Sequence, residues 1–269
     1  MRVRDAKILI LCKTYPSPSG KHAETSCVAG MDESGNLIRL FPVPFRLVSK
    51  DQQFRKWQWI KTKVRKATSD HRPESHNILV DTIQIGEEVS TKREWEERRS
   101  LIGKLHAFPS FQQIEADQAA KGTSLALIKP ARIIKLEIVA VSNPNWTDAE
   151  LAKLVQEQKQ GGLFDEDKPA VRTLRKLPHD FYYHYECATP AGPIQHRHKI
   201  VDWEAGALFW NCRQKHGDDW ERAFREQMEV RLPSADLMFL MGNIHRFQDQ
   251  WLIISLIYPP QQKQGTLLL

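Results

Sequence analysis

The chain has 269 residues, 41% of them hydrophobic, enough to bury a sizeable core in one large domain or, as we expect here, two of ordinary size. With 39 lysines and arginines against 33 acids the formal charge is +6, which fits a polyanionic partner, nucleic acid rather than membrane. The longest apolar runs, such as Trp251 to Tyr258, fall far short of the roughly 20 residues of a spanning helix, and the run Ile8 to Cys12 is too short for a secretory signal, so a cytoplasmic protein is expected.

Lys7 to Cys12 predicts a first strand, and the Pro- and Gly-rich stretch Tyr15 to Lys21 a loop. Ser26 to Met31 and Leu37 to Val43 flank Asp32-Glu-Ser-Gly-Asn and read as a hairpin, whose second strand Pro42 and Pro44 end or confine to an edge. A strand around Trp57 and another over Asn77 to Ile85 come next. Helices are predicted over Lys92 to Leu105, capped by Ser90 or Thr91, and over Ser110 to Ala120, ended by Gly122. Leu125 to Ile128 and Arg132 to Val141 read as two further strands. Many short strands with helical insertions predict a mainly β chain (α+β) built on a small, partly open barrel.

The chain changes character at Asn143-Pro-Asn, which places a domain boundary between 142 and 143, giving domains 1–142 and 143–269. Beyond it, Thr147-Asp-Ala-Glu starts a helix over Leu151 to Lys159 that Gly161-Gly162 ends, and an acidic loop follows from Leu163. His179 to Cys187 alternates aromatic and polar residues as a strand does, and His196 to Val201 supplies the next. Helices over Gly206 to His216 and Asp219 to Val230, strands over Leu237 to Met241 and Trp251 to Tyr258, and a tail from Gln261 complete the chain.

The densest functional signal lies between Arg46 and Lys66, where Arg46, Lys50, Arg55, Lys56, Lys61, Lys63, Arg65 and Lys66 face a single acid, Asp51. With Phe54, Trp57 and Trp59 among them, the segment offers a cationic strand for a phosphate backbone and rings for its bases. On a strand Trp57, Trp59 and Lys61 share a face, and two readings stay open: the face is wet and the rings stack on a ligand, or the rings are core and the lysines a solvated rim. Two loops could extend the surface. One is Asp70-His-Arg-Pro-Glu-Ser-His, where His71 and Arg72 could reach phosphate or an Arg72–Glu74 pair could simply shape the turn; the other is Asn243-Ile-His245-Arg246. Lys13, Thr14 and Lys21 form a weaker cluster of the same kind.

In chain order, KTYPSPSGKHAETSCVAG, LIRLFPVPFR, QFRKWQWI, HRPES, FYYHYEC, HKIVDWE, LMGNIHR and WLIISLIYPP resemble a family of prokaryotic dual OB-fold domain proteins, over most of the chain. The resemblance implies two tandem OB-like barrels, 1–142 and 143–269, the second with a helical insertion, and a nucleic-acid partner, in defence against mobile elements. It further implies accessory work beside proteins of the same system. Some relatives carry extra cysteines between the Glu-Cys strand and the His before Asp-Trp-Glu; here Ala188 to Gln195 has none, and Cys12, Cys27, Cys187 and Cys212 form no CxxC pair, so no metal and no cofactor are predicted.

Two other classes compete with nonenzymatic binding of single-stranded DNA or RNA. His196, His198, Asp202 and Glu204 could form the centre of a metal-dependent nuclease, although an acid flanking Trp203 before a helix also suits an N-cap. Trp203 and Trp210 could instead serve a protein-interaction subunit. Phosphate loops of the GxxxxGK[ST] form, GxGxxG turns, GxSxG elbows and HExxH helices are all missing from the sequence.

Overall fold

A computed structural model describes residues 2–16, 26–45, 49–150, 152 and 175–262. The helix expected over 151–159 therefore lies outside the described residues, apart from 152, as do the acidic loop from 163, Arg46, Lys21 and the end of the tail.

Strands β1 (Arg4–Lys13), β2 (Ser26–Asp32), β3 (Leu37–Val43), β4 (Gln58–Lys66) and β5 (Ser75–Glu88) close into a barrel in the order β1-β2-β3-β5-β4. β3 and β5 pair in parallel, and β1 closes on β4 with Lys7 opposite Lys61 and Asp5 opposite Lys63. This is the strand order of an OB-type barrel. Ile8, Ile10, Val28, Leu40, Ile60 and Val64 fill its interior.

A seven-stranded sheet follows, built from β6 (Ala107–Phe108), β7 (Leu125–Ile128), β8 (Arg132–Ala140), β9 (His179–Cys187), β10 (Ile194–Ile200), β11 (Met238–Asn243) and β12 (Trp251–Ile257). Pro130, which cannot donate to a ladder, interrupts what is otherwise one long strand: β7 pairs with β11 and β8 with β9. With β7 and β8 counted together as the first strand, the order repeats the first barrel, down to the parallel pairing of β10 with β12. The chain is thus mainly β, with two OB-like units in tandem. The strands expected at 125–128 and 132–141 as part of the first barrel instead belong to the second sheet, which moves the transition back to the 104–107 region.

Helix α1 (Lys92–Ile102) links the units, and α2 (Phe111–Lys121) leads into β7. Between β10 and β11 lie α3 (Trp203–His216) and α4 (Trp220–Arg225), the latter running into a π-helical turn over Glu226–Arg231. Phe209, Trp220, Phe224 and Met228 from this insertion pack on Phe181, Tyr183 and Tyr185 of β9 and on Phe239.

The units are joined by a third core. Leu9, Leu11, Ala29 and Met31 on the outside of the first barrel meet Leu125, Leu127, Leu240, Ile254 and Ile257, with Trp57 and Trp59 at one side. That explains the unbroken apolar run of β1, Ile8 to Cys12, whose two faces serve two different cores. Each large side chain buried there contributes roughly 1.5–3 kcal/mol.

Candidate functional site

β4 alternates as a half-buried strand should. Thr62 and Val64 point inward, while Lys61, Lys63 and Arg65 are exposed on the outer face. Alternate residues of a strand stand about 6.6 Å apart, so the three cations form an evenly spaced row. None of the three enters an ion pair among the described residues. Beside the row lies an open groove of about 800 Å³ lined by Asp5, Lys7, Glu33, Lys61, Lys63 and Gln84. Lys7 is bound to Glu33 at 2.9 Å and sits 5.0 Å over the Trp59 ring.

The other cations of the basic segment diverge. Arg55 is exposed, within 3.5 Å of Glu88. Lys56 is buried: its Nζ donates to the Leu256 carbonyl (2.7 Å) and Glu204 Oε2 (2.9 Å), with Asp202 Oδ2 at 3.8 Å. Burial would depress this amine, but Asp202 and Glu204 outweigh burial and hold it above its ordinary pKa. Lys66 donates to the carbonyls of Arg72, Pro73 and Ser75, tying the loop that follows β4. Lys13 donates to the Phe54 carbonyl (3.0 Å) and lies 4.0 Å over the Phe45 ring and 5.3 Å over Trp203; burial lowers its pKa to about 8.

The rings expected on the wet face are covered. Trp57 and Trp59 are only 4% and 8% exposed, so neither offers an open face to a base. Trp57 precedes β4 in the left-handed region (φ 67°) and packs edge-on against Trp95, with Arg98 4.8 Å over its ring. They hold up the platform on which the lysines stand.

β4 runs straight into the loop 67–74, and this loop meets its counterpart in the second unit, 244–250. Arg72 grips Asp70 through Nε (2.9 Å) and Nη2 (2.7 Å) and reaches across to the Asn243 carbonyl (2.6 Å) and Oδ1 (3.1 Å). Burial alone would raise Asp70, yet the hydrogen bonds from Arg72 and Ser75 hold it well below the usual carboxylate range. His245 Nε2 stands 3.8 Å from Asp70 Oδ1, and His71 and Arg246 are exposed on the rim. His71, Arg72 and His245 are therefore brought together, with Arg72 as the pin and the others at the mouth.

Between the loops lies a cleft of about 320 Å³ whose walls include Tyr15, Phe41, Asp70, Arg72, His245 and Arg39. Sequence reading passed over Arg39; the signal was there, a lone arginine between Ile38 and Leu40 in an apolar strand. Its Nη1 donates to Ser124 Oγ (2.7 Å) and Ser75 Oγ (3.4 Å), and its Nη2 to the Ser124 carbonyl (2.7 Å). The Glu74 carbonyl accepts from the Arg39 amide at 2.9 Å, while its carboxylate meets the guanidinium through Ser124, whose hydroxyl donates to it at 2.5 Å. Tyr15 is held in the wall by Trp210 Nε1, which donates to its hydroxyl at 3.1 Å, and by Gly206, where a Cβ would come within 2.4 Å of the ring.

The histidine–acid cluster does not converge. Asp202 is buried as the N-cap of α3, accepting from the amides of Glu204 (2.7 Å) and Leu256 (2.8 Å). His196 and His198 face Phe111 and Tyr185 on the other side of β10, with Tyr185 Oη 3.0 Å from His198 Nδ1. Among the described residues no group of three His, Cys, Asp or Glu side chains is placed to hold a metal ion. Trp203 and Trp210 are half-buried, spent on Phe45, Tyr15 and Phe209 rather than on an open interface.

Two family models match the chain: residues 4–104 fit a domain of unknown function, DUF8758, and residues 107–269 fit another, DUF8757. They meet where the strand pairing passes from the first barrel to the second sheet. No curated protein matches. Among solved structures, a chain from a replication protein A heterotrimer bound to ssDNA is similar at 10% identity and a TM-score of 0.24. The likeness covers 96% of this chain and 66% of that one, just under two thirds of its length. Among the described residues no helix is long and apolar enough to cross a membrane.

Proposed function

We propose that this chain, which belongs through residues 107–269 to the family described as domain of unknown function DUF8757, binds single-stranded nucleic acid along the outer face of β4. One observation carries the reading: Lys61, Lys63 and Arg65 form a row of exposed cations that neutralise nothing in the described protein. Side chains held that way gain nothing for the fold, whereas a phosphate backbone laid along them would release its counterions. The row ends at the 67–74 loop, where Arg246 adds an exposed cation, His71 and His245 add hydrogen-bonding rings, and the exposed ring of Phe247 can meet an unpaired base. Free bases are what separates a single strand from a duplex at such a surface. Work beside proteins of a prokaryotic defence system is implied by the family resemblance and has no counterpart in the geometry.

Fluorescence anisotropy with labelled ssDNA, ssRNA and duplex over a salt series tests the proposal. Binding to a single strand should weaken as salt rises, with a log–log slope of about −0.7 per phosphate contacted. Replacing Lys61, Lys63 and Arg65 together by Ala should make that slope shallower by about 2 without lowering the unfolding midpoint. Undetectable or salt-insensitive binding to all three probes would overturn it.

A further inference from the structure

Arg39 is 2% exposed, and no carboxylate lies within ion-pair distance of it among the described residues. Its partners are neutral: two hydroxyls and a carbonyl. Buried charges are ordinarily paired, because an uncompensated guanidinium in a low-dielectric site is costly. Asp70 and Glu74 are near enough to favour the charged guanidinium, but neither touches it. Asp70 is taken by Arg72 through two hydrogen bonds, and Glu74 is occupied by the hydroxyl and amide of Ser124. A guanidinium has five N–H donors, and the three contacts of Arg39 leave its Nε and one Nη2 hydrogen for a ligand.

We propose that the cleft between the two barrels binds one nucleotide-sized phosphate ester, its phosphoryl oxygens on Arg39 and its base or sugar along the remaining walls of the cleft. The volume supports this size class: about 320 Å³ is at the small end of ligand pockets and holds one nucleotide unit rather than an oligomer. The chemistry supports phosphate, since a guanidinium presents parallel donors that match two phosphoryl oxygens. Gly242 keeps the pocket floor open, because a Cβ there would press to 3.3 Å from Arg39 Nη2. The same phosphate ester could be a free mononucleotide or the phosphorylated end of a strand arriving along β4. Only the second source rests on the proposed nucleic-acid function; the cleft itself stands on the unpaired charge.

Isothermal titration of the full chain with inorganic phosphate, nucleoside 5′-monophosphates and the matching nucleosides reads the site directly. At least one monophosphate should bind tenfold or more tighter than both its nucleoside and inorganic phosphate. Arg39→Gln should weaken it at least tenfold, and Ser69→Trp, which fills the exposed rim of the cleft, should abolish it with the unfolding midpoint unchanged. Should Arg39→Gln fail to fold, Ser69→Trp decides. Wild-type protein that binds no monophosphate, or binding untouched by Ser69→Trp, overturns the proposal, and inorganic phosphate binding as tightly as a nucleotide overturns the nucleotide assignment. Preference for 5′-phosphorylated over 5′-hydroxyl oligonucleotides supports the strand end, and equal affinity supports the free nucleotide. The Lys61, Lys63 and Arg65 triple variant should bind mononucleotides as wild type does, so failure of the strand surface leaves this test intact.

Discussion

The two barrels share a strand order and treat the same face in opposite ways. In the first, the outside of β2 and β3 is sealed: Ala29 and Met31 lie in the shared core and Arg39 bonds to Ser124 of the other unit. In the second, the matching outside of β9 and β10 is open, carrying Tyr182, His184 and Glu186 opposite Lys199, Arg197 and Gln195. OB barrels commonly bind along that face and its loops. Here the first barrel has given the face to its neighbour, which leaves the outer side of β4 and the loop ends as its exposed positive surfaces. The second barrel keeps its face but fills it with internal pairs: Arg197 stacks 3.7 Å from Tyr182 and binds Glu137, Lys199 holds Asp180, and Arg132 holds Glu186. The two matching faces are thus both committed, the first to the neighbouring unit and the second to its own ion pairs.

Truncating a ring on the sealed side should break the difference most visibly. Trp57→Ala empties a site that is 4% exposed and should cost about 3–5 kcal/mol in urea unfolding. Tyr182→Ala on the open face should cost under about 1 kcal/mol, the scale of an exposed cation–π contact. Equal losses would mean that the second face is also covered.

The Lys56–Asp202 contact sharpens the comparison at the seam. Lys56→Met leaves Asp202 buried without its cation and should cost about 3 kcal/mol. Adding Asp202→Asn, which keeps a cap for α3 and removes the orphaned charge, should recover part of that loss. Simple additivity of the two changes would place them in separate interactions.

Alternation in His179–Cys187 and the turn at Asp32 to Asn36 made individual strands legible before any coordinates. The two-sided burial of β1 was also visible as a continuous apolar run, but a run does not say what covers its second face. Long-range partners were the invisible part. Lys56 stands in the same basic run as Lys61, and only Glu204, 148 positions away, separates a structural lysine from a surface one. Arg39 acquires its meaning from Ser124, 85 positions away. Asn143-Pro-Asn reads as a linker, yet it falls between β8 and β9 of the second sheet, while the strand pairing passes from one unit to the other near 104–107. Arg46, the first residue of the basic segment, lies outside the described residues.

The interior of the second barrel predicts an asymmetric response to acid. Burial, with a smaller push from His196, lowers the pKa of His198 to about 4, against about 6.5 for the unfolded chain. The unfolded state therefore takes up the proton first, and this group's contribution, complete above pH 6.5, is lost as pH falls towards 4. The loss should approach about 2–3 kcal/mol at pH 4. Fluorescence from Trp220 and Trp251, which lie in that core, should report it, and His198→Phe should flatten the profile. A profile unchanged in the variant would assign the acid sensitivity to other groups.

The smallest effect on stability is expected where the largest effect on binding is. Lys61, Lys63 and Arg65 touch solvent, stand about 6.6 Å apart and carry like charges. Removing exposed strand side chains usually changes stability by under about 0.5 kcal/mol, and here relief of mutual repulsion should tip the sign towards stabilisation at low salt. At 1 M salt the screening length falls to about 3 Å, shorter than their separation, so the difference between wild type and triple-alanine variant should vanish. A variant that is clearly less stable at every salt concentration would show that the row serves the barrel. A variant slightly more stable at low salt and poor at binding would show the opposite: the wild-type fold tolerates a repulsive row that an anion from outside relieves.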